Sequence, residues 1–270
     1  MGQHVIREAR SQADLEQCKY IATMVWGNDS SCSIAQMSVH VRYGGIVLLA
    51  LKDGEAVGFT LSFPARLKGQ WVLWSHETAV LSHVLHHGIG YDLKMTQRRL
   101  ARDLGYSAIA WTFDPLISRN AHFNLNKLGT KVVDFIPNCY GVMEGDPLNE
   151  GVESDRFLAF WDLSVEDRDL VPPDSFSDRQ LLLTANKHAP LLHCAQDYAP
   201  ILHRDFSGGD ACVTEVPGDM QDFPGQGLRA DWVHAMRLTV TTLHEDGYQV
   251  RQFMYDATRK VGRYIWERAR

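Results

Sequence analysis

Two glycines, Gly88 and Gly90, stand at the start of a basic, amphipathic segment of this 270-residue sequence. Glycine lets the backbone approach a ligand closely and adopt positive φ angles. The first N–H groups of a helix have no partner within the helix, and the helix dipole makes that end electropositive. A strand ending at Val80, a loop, the glycines and a helix to about Leu104 therefore predict a binding site for a phosphate or another anion. The simpler alternative is a turn in front of an ordinary amphipathic helix.

The spacing around these glycines argues against two familiar phosphate-binding motifs. A Rossmann fingerprint requires a third glycine, but Leu93 stands at that position. It also requires the glycines directly after the strand, whereas seven residues separate Val80 from Gly88. A P-loop requires a Gly-Lys-Ser/Thr sequence, which is absent here. The predicted anion site therefore belongs to neither class.

Hydrophobic periodicity and turn signals give the elements that must position this loop. The alternation of strands and helices predicts a mixed α/β (α+β) fold. In chain order, we expect a strand at His4–Ala9, a helix capped by Ser11, a hairpin at Ile46–Phe63 that turns at Lys52–Glu55, a strand at Trp71–Val80, the glycine-initiated helix, a strand at Ser107–Phe113, a short helix at Ser118–Gly129, and strands at Thr130–Ile136 and Arg156–Leu163.

The chain is predicted to have two parts joined by a polar linker at residues 164–178. The first part covers residues 1–163 and the second covers residues 179–270. A helix followed by Gly-Tyr and a strand occurs at Gly105-Tyr106 and again at Gly247-Tyr248. This echo predicts that the second part is a duplicated half-domain.

The order of elements and two motifs resemble the GNAT acyltransferase superfamily over roughly residues 4–163. The superfamily pattern Gln/Arg-x-x-Gly-x-Gly/Ala compares with LHHGIG at residues 85–90, where both glycines match and the first position does not. A later pattern, Asn-x-x-Ala-x-x-x-Tyr-x-Lys-x-Gly, compares with SRNAHFNLNKLG at residues 118–129. Its alanine, lysine and glycine match, whereas Ser118 and Leu125 depart from it. The longer stretch at residues 111–129 is similar to a bacterial branch of predicted acetyltransferases with a GNAT-related C-terminal half.

This resemblance implies a GNAT-like mixed twisted sheet flanked by helices, with a second, degenerate GNAT-like half. It implies an acyl-CoA-dependent N-acyltransferase that acts on a small primary amine such as an amino acid. Acetyl-CoA or succinyl-CoA would be the co-substrate, and no metal is expected. The alternative is a non-catalytic protein that binds a CoA ester or another anionic ligand. Leu125, which stands where many members have a proton-donating tyrosine, favours this alternative.

The resemblance also assigns candidate site residues. The loop after the fourth strand holds the coenzyme pyrophosphate through backbone amides in that superfamily. Asn120 is a candidate for a hydrogen bond to the pantetheine arm, the alternative being a role in capping the helix. The predicted coenzyme-binding residues are Ala79, Val80, His87, Gly88, Ile89, Gly90, Tyr91 and Asn120.

Three titratable residues are candidates for the base that removes a proton from an attacking amine. Of Glu77 and Asp114, one is expected to be the base and the other to orient the ammonium group of an amino-acid-like acceptor, with His76 as the alternative base. His76 and Glu77 lie on the strand that leads into the glycine loop, and Asp114 ends the next strand. Strand alternation predicts that His76 and Glu77 face opposite sides, so at most one of them faces the reaction. The alternatives are a polar outward face for the first two and a turn-forming Asp114-Pro115 for the third.

Further charged side chains near the glycines have two interpretations each. Lys94, Arg98 and Arg99 follow the glycines on the helix and could pair with coenzyme phosphates or form a solvated basic face. His83, His86 and His87 resemble a metal-binding cluster because two of them have i, i+4 spacing. No HExxH motif accompanies them, so we expect no metal.

Composition narrows the class of protein. The net charge of −6 and the pI of about 6.0 argue against a nucleic-acid partner. The five scattered cysteines form no C-x-x-C pair, which is typical of reduced thiols in a cytoplasmic protein. No apolar run is long enough for a membrane helix. We therefore expect a small-molecule amine substrate, no membrane association and a cytoplasmic location, with a homodimer left open.

Overall fold

The structure is a computed structural model of the chain, and it has a mixed α/β architecture, as the sequence predicts. It describes residues 4–27, 31–85, 87–142, 151–165, 180–185, 199–202, 209–218 and 226–269. The elements are β1 (His4–Glu8), α1 (Gln12–Trp26), α2 (Ile34–Arg42), β2 (Ile46–Lys52), β3 (Glu55–Leu67), β4 (Gln70–Val80), α3 (Ile89–Asp103), β5 (Ala108–Phe113), α4 (Ser118–Ala121), a π-helix (His122–Lys127), β6 (Lys131–Ile136), β7 (Arg156–Asp162), β8 (Gln180–Ala185), β9 (Pro200–Leu202), β10 (Ala211–Pro217), α5 (Gln226–Glu245), β11 (Tyr248–Asp256) and β12 (Val261–Arg268).

The chain divides into two compact units, and neither is a continuous segment. The first unit comprises residues 1–111 and 160–166, and the second comprises residues 112–159 and 167–270. The packing thus divides the chain within β5 and β7. The boundary at residues 164–178 stays a prediction, because most of that linker lies outside the described residues.

A seven-stranded sheet has the order β1-β2-β3-β4-β5-β7-β6. Strands β1 to β4 pair antiparallel with their neighbours. β5 then pairs parallel with β4 through Leu73↔Ile109 and Trp74↔Ala110. Sequence neighbours thus lie side by side from β1 to β5, and β7 is inserted between β5 and β6.

Local sequence signals explain how the first unit starts. Ser11 caps α1 in a capping box, because its side chain accepts from the N–H of Asp14 while the Asp14 carboxylate accepts from the N–H of Ser11. The hairpin between β2 and β3 turns at Asp53 and Gly54, whose φ angles are 53° and 87°. Positive φ at both residues is typical of a type I′ turn. The Ser11 cap and this hairpin were predicted from the sequence, and both predictions are confirmed.

The first unit packs helices on both faces of its strands. On one face, α1 and α2 cover a cluster that includes Leu15, Ile21, Leu49, Phe59 and Leu61, all buried. On the other face, α3 buries Ile89, Leu93 and Ala101 together with three polar side chains, Lys94, Gln97 and Arg98. Lys94 and Arg98 were predicted to pair with coenzyme phosphates or to form a solvated face, so their burial needs a specific explanation.

The second unit contains a five-stranded sheet with the order β11-β12-β10-β8-β9. β12 pairs antiparallel with both β10 and β11, so it separates them. The sequence β10, α5, β11, β12 therefore has the same strand order as β5, α4, β6, β7 in the seven-stranded sheet. The repeated Gly-Tyr predicts instead that α5 corresponds to α3 and that β11 corresponds to β5. The strand order contradicts that alignment, because β5 lies next to the strand before α3, whereas β12 separates β11 from the strand before α5. Whether this unit is a GNAT-like half stays a prediction.

An aromatic core holds the second unit together. Phe157 on β7 makes edge contacts with Phe113, Phe135, Tyr264 and Trp266, with ring centroids 5.4–6.1 Å apart. Phe157, Tyr264 and Trp266 are fully buried. Aromatic pairs with this geometry contribute about 0.5–1.5 kcal/mol each beyond the area that they bury.

Candidate active site

A β-bulge in β4 places two titratable side chains on the same face of the sheet. In the register with β3, Leu61 pairs with Glu77 but the next residue, Ser62, pairs with Ser75, so His76 is the extra residue. The prediction that His76 and Glu77 face opposite sides is therefore wrong. The bulge adds one residue and breaks the two-residue alternation on which that prediction depended.

The bulge brings His76 and Glu77 to Cys32, which precedes α2. The Cys32 sulfur, a ring nitrogen of His76 and a carboxylate oxygen of Glu77 all lie within 4.8 Å of one another. The N–H of Cys32 donates to Glu77 Oε1 at 2.8 Å. A backbone hydrogen bond thus fixes both the carboxylate and the loop that carries the thiol.

Glu77 is buried, with 7% of its surface exposed. Burial raises the pKa of its carboxyl group, although the hydrogen bond from Cys32 and the charge of Lys19 act in the opposite direction. Burial, followed by the charge of Glu77, raises the pKa of the Cys32 thiol to about 11. Glu77 is therefore a stronger base than an exposed carboxylate, and the thiol next to it keeps its proton at neutral pH.

His76 retains contact with solvent and is the last of three neighbouring rings. The His40 ring stacks on Phe63 at 4.5 Å between centroids, and Phe63 contacts the His76 ring at 5.4 Å. Desolvation first, and the charge of His40 second, lower the pKa of His76. His76 is therefore neutral at pH 7 and can accept a proton.

The glycine loop forms the predicted helix start. Gly88 caps α3 in the left-handed region, with φ of 82°. The first backbone bond of the helix runs from the N–H of Asp92 to the carbonyl of Gly88 at 3.0 Å. The N–H groups of residues 89–91 precede that bond, as expected of a helix start that offers donors to an anion.

Charges of both signs lie around this helix start. Lys52 on β2 contacts His87, with 3.0 Å between Lys52 Nζ and His87 Nδ1. Asp92, in the first turn, would repel an anion, but its carboxylate lies 2.7 Å from His4 Nε2. Lys52 can therefore attract an anion to the amides, while His4 holds the acidic side chain.

Lys94 is buried beneath β4 and does not face solvent. Its ammonium donates to Ser75 Oγ at 2.7 Å and lies 3.8 Å from the centroid of the Trp111 ring. Gln97 also donates to Ser75, and it donates to Thr60 Oγ1. The expectations for Lys94, a phosphate contact or a solvated face, are wrong. Arg98 is likewise buried, over Trp161, and only Arg99 is exposed.

The buried lysine predicts a specific pH dependence. Burial lowers the pKa of Lys94 from 10.5 to about 7, so the unfolded chain binds more protons between these values. The free energy of unfolding should therefore rise with pH in this window. Lys94→Met should remove that rise, whereas Lys131→Met, at an exposed position on β6, should retain it. Urea titrations from pH 7 to 10 measure both, and parallel curves for Lys94→Met and the parent would exclude this behaviour.

Asp114 lies in the second unit and is fully engaged. Its Oδ2 lies 2.5 Å from Arg229 Nη2 and 3.8 Å from Arg156 Nη1, and its Oδ1 accepts from the N–H of Leu116 at 2.8 Å. Its side chain is 8% exposed. These partners argue against a role of Asp114 as the base or in orienting the amine, because its oxygens already bind structural groups, and that role stays a prediction.

The remaining candidates have different outcomes. Ala79 is buried, and Val80 lies beside Gly90, because a Cβ added to Gly90 would be 3.8 Å from Val80 Cγ2. Asn120 belongs to the second unit, and its contact with the coenzyme stays a prediction. His86 lies outside the described residues, and the metal-ligand group found in the described part of the chain includes neither His83 nor His87. No helix in the described residues has the length and hydropathy to cross a membrane.

Sequence reasoning missed two parts of this site. It did not predict α2, in which Met37 is the one buried residue and apolar periodicity is weak. A signal was nevertheless present, because Ser33 caps α2 by accepting from the N–H of Gln36. Sequence reasoning also treated Cys32 as an ordinary buried thiol, because its contact with Glu77 depends on the bulge.

Several solved acetyltransferase structures are similar to part of this chain. The ribosomal-protein-S18-alanine N-acetyltransferase from Escherichia coli matches with a TM-score of 0.48 and 13% identity, over 63% of this chain and 99% of its own. Arabidopsis thaliana Naa50, in complex with the bisubstrate analogue CoA-Ac-MVNAL, matches with a TM-score of 0.46 and 17% identity, over 58% of this chain and 97% of its own. A GNAT family acetyltransferase from Streptococcus pneumoniae matches with a TM-score of 0.47 and 16% identity, over 58% of this chain and 98% of its own.

The structure from Streptococcus pneumoniae is described as a GNAT family acetyltransferase. No protein-family model matches the sequence, and no curated protein matches it. With identities of 13–17% and TM-scores of 0.46–0.48, the similarities carry no argument about activity or substrate. The geometry of the first unit must therefore support any proposed function.

Proposed function

We propose that the protein is an acyl-CoA-dependent N-acyltransferase that transfers an acyl group to a small primary amine. One observation carries the proposal. A bulged strand holds a buried carboxylate and an imidazole on one face, and a connection at residues 81–87 leads from its end to a helix start capped by a left-handed glycine. The first feature suits proton removal, and the second suits a pyrophosphate.

The coenzyme would be held mainly by main-chain groups. The N–H groups of residues 89–91 would donate to the pyrophosphate, and Lys52 would add positive charge. Gly90 leaves room for the ligand, because a Cβ there would meet only Val80 Cγ2 within 4 Å, at 3.8 Å. These contacts bind and orient an acyl thioester without taking part in the chemical step.

The chemical step requires a neutral amine. An α-amino group has a pKa of roughly 7.7–8.0, so much of it carries a proton at pH 7. Glu77 or His76 would remove a proton as the amine nitrogen attacks the thioester carbonyl. A C–N bond forms, the C–S bond breaks, and the coenzyme leaves as a thiolate. A thiol loses its proton near pH ~8.5, so this leaving group needs no strong acid, and Leu125 does not prevent the reaction.

A non-catalytic protein that binds a CoA ester is the second candidate, and Leu125 favours it because a leucine cannot donate a proton. Release of free thiol from acetyl-CoA or succinyl-CoA distinguishes the two functions when a panel of amines, including amino acids, is supplied. An enzyme releases thiol in proportion to an acylated amine. A binding protein shows affinity for the coenzyme in calorimetry without turnover.

Gly90→Val should lower the affinity for coenzyme A at least about 10-fold, equivalent to about 1.4 kcal/mol. The new methyl groups would occupy the space in front of the helix amides, while the 3.8 Å approach to Val80 is an ordinary contact that the fold tolerates. Calorimetry with coenzyme A measures the affinity, and thermal unfolding shows that the variant remains folded.

Gly227→Val is the matched control. Gly227 is also the second residue of its helix, α5, and a Cβ there would meet nothing within 4 Å. This variant should bind coenzyme A like the parent. Equal affinities for the parent and Gly90→Val would place the coenzyme elsewhere and remove the observation on which the proposed function depends.

A further inference from the structure

Cys32, His76 and Glu77 offer a thiol, an imidazole and a carboxylate to a common point in the first unit. Their donor atoms lie within 4.8 Å of one another, and no other such group of three is found within the part of the chain that the structure describes. Ligand atoms around a tetrahedral ion with bonds of about 2.0–2.3 Å are separated by roughly 3.3–3.8 Å. Small side-chain rotations are therefore enough to bring the three donors to these separations.

The carboxylate of Glu77 supplies independent evidence for a missing partner. Oε1 accepts the N–H of Cys32, whereas Oε2 is buried and has no hydrogen-bond partner among the described residues. A buried polar atom without a partner costs free energy, and the cost is larger for a charged group. A cation bound to Oε2 would remove this cost.

The surroundings hold the donors in place before an ion arrives. The bond from Cys32 N–H to Oε1 orients the carboxylate from outside the donor set, as hydrogen bonds to metal ligands commonly do. The bulge in β4 fixes His76 beside Glu77. Because His76 is exposed to solvent, an ion has a route to the donors.

We propose that Cys32, His76 and Glu77 bind a divalent zinc ion. One sulfur, one nitrogen and one oxygen donor form a set that zinc accepts, and three protein ligands with an open fourth position are typical of a reactive rather than a structural zinc site. This site is distinct from the histidines at 83, 86 and 87. The proposal goes beyond acyl transfer and does not depend on it, but an ion bound to Glu77 and His76 would keep both side chains from acting as the base.

The charges of the site are compatible with this ion. The thiol must lose its proton on binding, so the thiolate and the carboxylate together neutralise two positive charges. Lys19 is the neighbouring cation, and its ammonium donates to the carbonyl and hydroxyl of Ser31. Zinc binding should therefore release a proton and weaken as the pH falls.

Cobalt titration tests the proposal directly, because a thiolate bound to Co²⁺ gives a charge-transfer absorption in the near ultraviolet. Metal-free protein in a thiol-free reductant should bind one Co²⁺ per chain with this band, and Zn²⁺ should displace it. Cys32→Ser should abolish the band. His76→Ala, which removes an exposed ligand and little packing, should weaken Zn²⁺ binding at least about 10-fold, equivalent to about 1.4 kcal/mol.

Two controls separate this site from other thiols and histidines. Cys212→Ser removes a buried thiol of the second unit, and His83→Ala with His87→Ala removes the i, i+4 histidine pair. Both should leave the band and the stoichiometry unchanged. The proposal is overturned if the parent shows no charge-transfer band, if the band persists in Cys32→Ser, or if His76→Ala binds Zn²⁺ like the parent. None of these outcomes depends on acyl transfer, so they leave the proposed function to its own test.

Discussion

Glu77→Gln is expected to lower kcat/KM for acyl transfer at least about 10-fold, while the affinity for coenzyme A stays unchanged. General bases commonly contribute roughly 10²–10⁴ in rate. The amide retains an acceptor for the N–H of Cys32 but cannot take a proton from the amine. Because the proposed coenzyme contacts lie at the start of α3, removing this carboxylate should leave them intact.

The pH profile identifies Glu77 as the group that titrates. Burial raises the pKa of its carboxyl group above the ordinary value of 4.5. The parent should therefore lose kcat/KM as the pH falls through the raised pKa, because the carboxyl group becomes protonated and can no longer act as a base. Glu77→Gln should show no such decline. A decline that persists in Glu77→Gln and disappears in His76→Gln would make His76 the base.

Stability distinguishes a chemical role of Glu77 from a structural one. Its folded pKa lies above its unfolded pKa, so the folded protein holds the proton more tightly. The free energy of unfolding should then fall as the pH rises from about 4.5 through the raised pKa. Glu77→Gln should remove this loss and be at least as stable as the parent at pH 7.

Glu55→Gln is the matched control, because Glu55 is exposed at the start of β3. It should change neither kcat/KM nor the pH profile. If Glu77→Gln turns over like the parent from pH 6 to 9, the carboxylate is not the base. If Glu77→Gln loses activity only because it unfolds, the chemical assignment also fails.

The elements around the glycines could be predicted because their signals are local. Gly88 and Gly90, the Ser11 cap and the turn at Asp53-Gly54 each specify backbone geometry within a few residues. The order of these elements also predicted the mixed α/β fold.

The arrangement of the candidate base could not be predicted because it depends on pairing. The bulge at His76 exists only in the register between β3 and β4, and no residue within β4 marks it. The contact between Glu77 and Cys32 joins residues 45 positions apart. Periodicity along a single strand carries no information about either feature.

The burial of charge was also invisible in the sequence. Lys94 fits the basic face of an amphipathic helix by its residue type, but α3 turns it toward Ser75 and Trp111. Likewise, Asp114-Pro115 has the local signature of a turn, and its partner Arg229 is 115 residues away. Long-range packing decides which charged groups are buried.

Arg229→Met is expected to destabilise the protein by about 3–5 kcal/mol, the usual cost of removing one partner of a buried ion pair. The Asp114 and Arg229 side chains are 8% and 9% exposed, and their charged atoms lie 2.5 Å apart. Without Arg229, the nearest remaining cation described at Asp114 is Arg156, whose Nη1 lies 3.8 Å away. The melting temperature should fall by roughly 6–20 °C.

A double variant tests whether the cost comes from the unpaired charge. Asp114→Asn keeps an acceptor for the N–H of Leu116 but removes the negative charge. Combined with Arg229→Met, it should therefore restore part of the lost free energy of unfolding, so the two substitutions are not additive. Urea unfolding of the parent, both single variants and the double variant measures this coupling.

The surface pair Arg99–Asp103 provides the control. Its side chains are 65% and 62% exposed, so Arg99→Ala should change the free energy of unfolding by no more than about 0.5 kcal/mol. If Arg229→Met is as mild as Arg99→Ala, the buried pair does not stabilise the second unit, and Asp114 becomes available again for a role in the reaction. A large loss of stability would instead show that Asp114 serves the fold, because its buried carboxylate would then need the Arg229 guanidinium to neutralise its charge.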